Sequence, residues 1–113
     1  DGVALCGTRG WPFDDTAAQD AKVMAREAGR LKMSLEAAGE LPKLAFLHYP
    51  PVYPGACAQE IVDVLHTYSV TQCWYGHLHG KALRYAVQGI QDGIEYRLLS
   101  ADGIAFCPLK IRA

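Results

Sequence analysis

Two histidines stand two residues apart in Trp74-Tyr75-Gly76-His77-Leu78-His79-Gly80, and a third, His48, closes the apolar run Leu44-Ala45-Phe46-Leu47. Neutral imidazole is a ligand for zinc, manganese, iron and other first-row metals. In an extended segment residues i and i+2 point to the same side, so His77 and His79 are expected to face one site. Gly76 and Gly80 are expected to turn the backbone sharply on either side of the pair. A lone His-x-His is a weak signal, because two histidines in a glycine-rich turn can equally serve as hydrogen-bonding groups. His48 strengthens it, provided the fold brings the end of its apolar run beside the end of the run before His77.

The elements around these residues meet that condition. Gly2-Val3-Ala4-Leu5-Cys6 reads as a buried strand running into the loop Gly7-Thr8-Arg9-Gly10-Trp11-Pro12. Thr16 with Gln19 three residues on marks a helix start. Ala17, Ala21, Met24, Ala28, Leu31, Leu35 and Ala38 then form one apolar stripe at helical spacing, with Gly39 as the C-terminal stop. Lys22, Arg26, Glu27, Arg30 and Glu36 are expected to be the solvated charges of that helix. The run 44–47 reads as a strand covered on both faces, ended by His48-Tyr49-Pro50-Pro51, and a loop follows from Val52 to Gly55. Ile61, Val64, Leu65 and Tyr68 predict a second helix, and 70–75 a further strand.

Strand, helix and strand with crossovers of this length make a parallel βαβ unit. Parallel strands bring their carboxyl ends to one edge, with neighbours roughly 4.8 Å apart. His48, His77 and His79 are thereby expected on one rim, where open α/β sheets place their ligands. His66 falls within the intervening helix and reads as an ordinary surface residue. Beyond Gly80 the apolar period becomes two: Leu83, Tyr85 and Val87, then Ile94, Tyr96 and Leu98, with Asp92-Gly93 as a hairpin turn between them. Asp102-Gly103 reads as another turn before Ile104-Ala105-Phe106-Cys107, so the C-terminal third is expected to be an antiparallel meander added to a mixed sheet.

The bulk properties narrow the function classes. The chain has 113 residues, half of them hydrophobic, and a formal net charge of −1. It is sized for one domain at most, and no charge block points to nucleic acid or an anionic membrane. No stretch has the length of a membrane span or the layout of a secretory signal. Cys6, Cys57, Cys73 and Cys107 form no C-x-x-C pair or tight framework. Reduced thiols and a cytoplasmic location are expected, with no zinc site built from cysteine.

Gly76-His77-Leu78-His79-Gly80 and Leu47-His48-Tyr49-Pro50-Pro51, in this order, resemble the C-terminal half of the calcineurin-like metallophosphoesterases. Bacterial members of that family are also similar at Gly7-Thr8-Arg9-Gly10-Trp11 and at Tyr96-Arg97-Leu98-Leu99-Ser100-Ala101-Asp102, so the resemblance covers essentially the whole chain. It implies a four-layer α/β/β/α sandwich with two metal ions, divalent or trivalent manganese, iron or zinc, at the rim of its sheets. By matching position His48 and His77 would bind one ion and His79 the other, and the substrates would be phosphate mono- or diesters. The family's earlier motifs, D-x-H, G-D-x-x-D and G-N-H, do not occur here. With Asp1 as its first residue, the chain is expected to be a single partial domain over 1–113 that lacks its N-terminal half and the carboxylates that half supplies. The catalytic residues proper are then not in this chain, which alone would have little or no activity.

Two readings from other classes compete with this one. The chain could be a non-catalytic remnant or interaction module of the same fold, or a complete mononuclear hydrolase with three histidines and a water on one ion. Among lesser candidates, Arg9 would meet a substrate phosphate or sit in a surface ion pair. Tyr49 is expected to pack on Pro50 and Pro51, and the Asp102-Gly103 turn accounts for Asp102 without making it a partner of a liganding histidine. A half sandwich leaves strand edges bare, so self-association is expected.

Overall fold

The computed structural model describes residues 2–10 and 17–100, with side chains from residue 21 onward in the second stretch. The readings for Thr16, Asp102-Gly103 and the closing apolar run, Cys107 included, lie outside the described residues. Seven strands and two α-helices follow in the order β1 (Ala4–Thr8), α1 (Ala17–Ala37), β2 (Lys43–Leu47), β3 (Val52–Tyr53), β4 (Ala56–Cys57), α2 (Gln59–Thr67), β5 (Gln72–Tyr75), a 3-10 helix (Gly80–Tyr85), β6 (Gly89–Gln91) and β7 (Ile94–Leu98). This is an α/β fold with a mixed sheet. The sheet order is β1-β2-β5-β7-β6, parallel from β1 through β7 and antiparallel only between β6 and β7.

Helical spacing does for α1 what the sequence predicts from Met24 onward. Ala28, Leu31 and Leu35 are buried and Met24 is half-buried, whereas Ala21 is exposed. Gly39 takes φ +60 just past the helix, and its N–H donates to the Glu36 carbonyl. Ile61, Val62 and Leu65 of α2 are buried in the same core. That helix ends in a Schellman turn: Ser69 at φ +57 donates to the His66 carbonyl and Val70 to that of Leu65. Both helices pack on one sheet face, over Cys6, Ala45, Cys73 and Tyr96, which the strand register aligns.

The opposite face carries Leu5, Leu44, Gln72 and Glu95 in one row, and Gly7, Phe46, Trp74 and Arg97 in the next. Leu5 is 71% exposed there. β2 is thus not covered on both faces as expected: Ala45 and Leu47 are buried, Leu44 and Phe46 only half-buried. Trp74 is buried on this face, with the Arg97 guanidinium 5.0 Å from its ring centre.

Four further expectations are corrected. The loop after Pro51 contains the short hairpin β3–β4. Residues 83–87 do not form a strand: Gly80–Tyr85 is a 3-10 helix, and β6 lies further on. The reason is the turn, where Asp92 at φ +52 and Gly93 at φ +84 make a two-residue connection pairing Gln91 with Ile94. In that register residues 83–86 would fall opposite 99–102, beyond Leu98, the last residue of β7. Among the described residues the expected antiparallel meander amounts to one hairpin, because β7 joins β5 in parallel. Lastly, Glu27 is not a solvated charge but only 1% exposed; His66 is exposed as expected, with its Nε2 donating to the Asp92 carbonyl at 2.9 Å.

Cys6 and Cys73 are free, buried thiols and Cys57 is free and half-buried. Among the described residues no helix is long and apolar enough to cross a membrane. Burial pushes the Cys73 thiol up to about 12 from 9.0. Burial likewise carries the Tyr75 phenol up to about 12 from 10.0, its hydroxyl donating to the Val87 carbonyl at 2.6 Å. Tyr96 is raised as well, mainly by burial. Each folded value lies above the unfolded one, so the core holds the neutral forms. That stability is complete below the unfolded values and is lost as pH rises through them toward 12. A melting series is expected to stay flat from about pH 7.5 to about pH 9 and then fall, by up to about 1.4 kcal/mol per pH unit for each ionising group. A flat curve to pH 12 would contradict this burial.

Candidate functional site at the carboxyl edge of the sheet

Four parallel strands end on one edge, and backbone bonds hold the chain there after the ladder stops. The Gly76 N–H is shared between the carbonyls of Leu47 and His48, at 3.2 and 3.1 Å. The Tyr49 N–H donates to the Arg9 carbonyl at 3.0 Å, and Leu99 N–H to that of Tyr75 at 2.7 Å. Residues following β1, β2, β5 and β7 are thereby fixed side by side: Arg9, then His48 and Tyr49, then His77, then Ser100.

His48 and His77 do converge, their ring centres 5.3 Å apart at an interplanar angle of 69°. Two imidazoles sharing one ion with Zn–N of about 2.1 Å would place their ring centres roughly 5 Å apart. Tyr49 meets both histidines. Its ring lies edge-on to His48 at 4.6 Å and to His77 at 4.8 Å, and the exposed Arg9 guanidinium stands 5.6 Å from its centre. Arg9 is therefore at the rim, as its candidacy required.

His77 reaches this place by a route that alternation did not foresee. It takes φ +72, and the Leu78 N–H closes back on the Gly76 carbonyl at 2.9 Å. A two-residue hydrogen bond across a left-handed centre is a γ-turn, a rare and strained form. The segment is thus not extended, and His77 and His79 are not related by the i, i+2 alternation of a strand. Leu78 is buried while both histidines are exposed, so the turn anchors its apolar residue and presents the imidazoles. Gly80 supplies a left-handed bend at φ +57; Gly76 does not adopt positive φ. Partial burial, then the charges of His48 and His79, hold His77 below its ordinary pKa, which favours the neutral, lone-pair form.

The donor set fits part of a metal centre. His48 and His77 can occupy two positions on one ion, but among the described residues no group of three or more His, Cys, Asp and Glu side chains could hold one. Two imidazoles neutralise none of a dication's charge and offer no bridge between two ions, so the bridged pair does not fit these residues alone.

Sequence reading left out two rim features. The buried Glu27 accepts a hydrogen bond from Thr8 Oγ1 at 2.9 Å, directly before Arg9. Ser100, two residues past β7, is 5% exposed, and among the described residues its hydroxyl has no hydrogen-bond partner. Glu27 carried no signal, lying among ordinary helix charges, and Ser100 stood out only as one residue of the resembling stretch Tyr96 to Asp102. No family model matches the sequence, and no curated protein or solved structure matches it either.

Proposed function

We propose that this chain is the C-terminal part of a metal-dependent phosphoesterase of the calcineurin-like kind, contributing His48, His77 and His79 to a metal centre completed by carboxylates from outside it. The observation that carries the reading is the His48–His77 pair, held at 5.3 Å by a γ-turn that strains His77. Strained backbone persists where the surroundings over-determine it, and it gathers at functional sites. The half-open sheet, with helices on one face and Leu5 exposed on the other, supports a place in a larger α/β/β/α sandwich.

In this reading His48 and His77 hold one ion and His79 reaches toward a second. Bound ions would supply Lewis-acid chemistry to a phosphate ester. This chain's own part is to present neutral imidazoles and to receive the anion: Arg9 offers donors to phosphate oxygens, and a guanidinium keeps its charge throughout. Tyr49 fixes the mutual placement of the two rings and Arg9. The incompleteness of the donor set is the specific observation favouring the remnant reading, in which the fold persists without metal. A mononuclear centre would need His79 to close on the same ion as His48 and His77, and no such three-donor group stands among the described residues.

The test is calorimetric titration of the 113-residue chain with manganese and zinc, alongside hydrolysis of p-nitrophenyl phosphate. Weak uptake is expected, lowered about tenfold or more in His48→Ala and in His77→Ala, with negligible turnover by the chain alone. Robust turnover abolished by His77→Ala would defeat the half-site. An intact fold without uptake in the parent would favour the remnant.

A further inference from the structure

Glu27 is the one buried carboxylate among the described residues, and the proposed function does not use it. Its Oε1 accepts from Thr8 Oγ1 at 2.9 Å, and its Oε2 faces Arg30 at 3.0 Å and Arg26 at 3.4 Å. The arginines are 59% and 52% exposed, so the acid reaches inward from a solvated pair of cations to the last residue of β1. A carboxylate is a costly way to fill that position, and apolar residues of similar volume commonly serve stability as well or better. What Glu27 adds is direction. Thr8 is followed by Arg9, whose carbonyl accepts the Tyr49 N–H and whose guanidinium stands over the Tyr49 ring. Gly10, at φ +83, lies so close to Tyr49 that a Cβ there would be 3.2 Å from the Tyr49 carbonyl oxygen. The Tyr49 ring in turn touches both histidines of the rim.

We propose that Glu27 is a positioning residue of the rim: by holding Thr8 it sets where Arg9 stands against Tyr49 and the His48–His77 pair, and hence how a phosphate oxyanion is received. The phosphate part of this rests on the proposed function; the positioning part rests on the contacts alone. Thr8→Val removes the hydroxyl at nearly constant shape and leaves Glu27 its arginines, so the fold is retained even if Glu27→Gln proves too damaging.

The experiment measures two quantities on the full chain: hydrogen-exchange protection of the Tyr49 amide, with the Gly76 amide as internal reference, and affinity for inorganic phosphate. Thr8→Val and Glu27→Gln are expected to lower Tyr49 protection and to weaken phosphate binding, each roughly tenfold. Thr8→Ser should restore both, and Gly76 protection should not change. Unchanged Tyr49 protection in Thr8→Val overturns the proposal, whatever happens to the melting temperature. Lowered protection with undiminished phosphate affinity overturns it as well. A parent chain that binds no phosphate would count against the phosphoesterase reading instead. Tyr49 protection, with its rescue by serine, would then decide the positioning role by itself.

Discussion

His77→Gly is expected to stabilise the protein and to lower the proposed metal uptake about tenfold or more in one step, whereas His77→Ala is expected to lower the uptake equally without the gain. His77 occupies φ +72, a region costing a residue with a Cβ about 1–2 kcal/mol and glycine almost nothing. The added freedom of glycine in the unfolded chain offsets part of that relief. The net gain is about 1 kcal/mol, or roughly 4–6 °C in melting temperature for a domain of this size. The imidazole contributes little packing in exchange, because His77 is exposed and its contacts are the ring edges of His48 and Tyr49. Thermal melts by circular dichroism and a metal titration on the parent and both variants decide the matter. If glycine and alanine destabilise alike, the turn is not strained and the main support for a functional His77 is gone. If glycine stabilises and uptake survives, His77 is not a ligand.

The sheet could be read from the chain because its signals are local. Short apolar runs separated by amphipathic helices leave few arrangements other than parallel strands with crossovers, and β1, β2 and β5 follow that logic. The meeting of His48 with His77 came from the same argument, since each follows a parallel strand. The features that escaped depend on conformation or on tertiary surroundings. Nothing in Gly76-His77-Leu78 announces that the histidine, rather than a glycine, takes positive φ. Glu27 sits at a helix position one step from solvated Arg26, and the approach of Thr8 to one oxygen, with Arg30 and Arg26 on the other, makes its burial tolerable. The alternation at 83–87 does not survive folding: Leu83 and Val87 pack against the core, but so do Ala82 and Ala86, and Tyr85 is 50% exposed. A two-residue turn at Asp92-Gly93 fixes a register with no place for those residues in the sheet.

Gly7→Ala will cost about 3 kcal/mol and lower the melting temperature by roughly 12 °C or more. A Cβ at Gly7 would lie 2.3 Å from the Phe46 carbonyl oxygen and 3.3 Å from its carbon. Both are backbone atoms of β2, which is paired on one side with β1 and on the other with β5. No side chain can swing away, so β1 itself must move. Gly7 is also bonded through its N–H to Ser34 Oγ at 3.0 Å, which ties this edge of the strand to α1. Displacing β1 therefore strains the ladder from Ala4 to Thr8, the Ser34 bond and the Thr8–Glu27 bond together, and carries Arg9 away from Tyr49. The matched control is Gly29→Ala in α1, where a Cβ would meet nothing within 4 Å. Alanine exceeds glycine in helix preference by about 1 kcal/mol, so that variant should be more stable than the parent. The two substitutions add the same methyl group and should shift the melting temperature in opposite directions. A Gly7→Ala protein that melts with the parent would mean β1 and β2 do not approach as closely as this register requires.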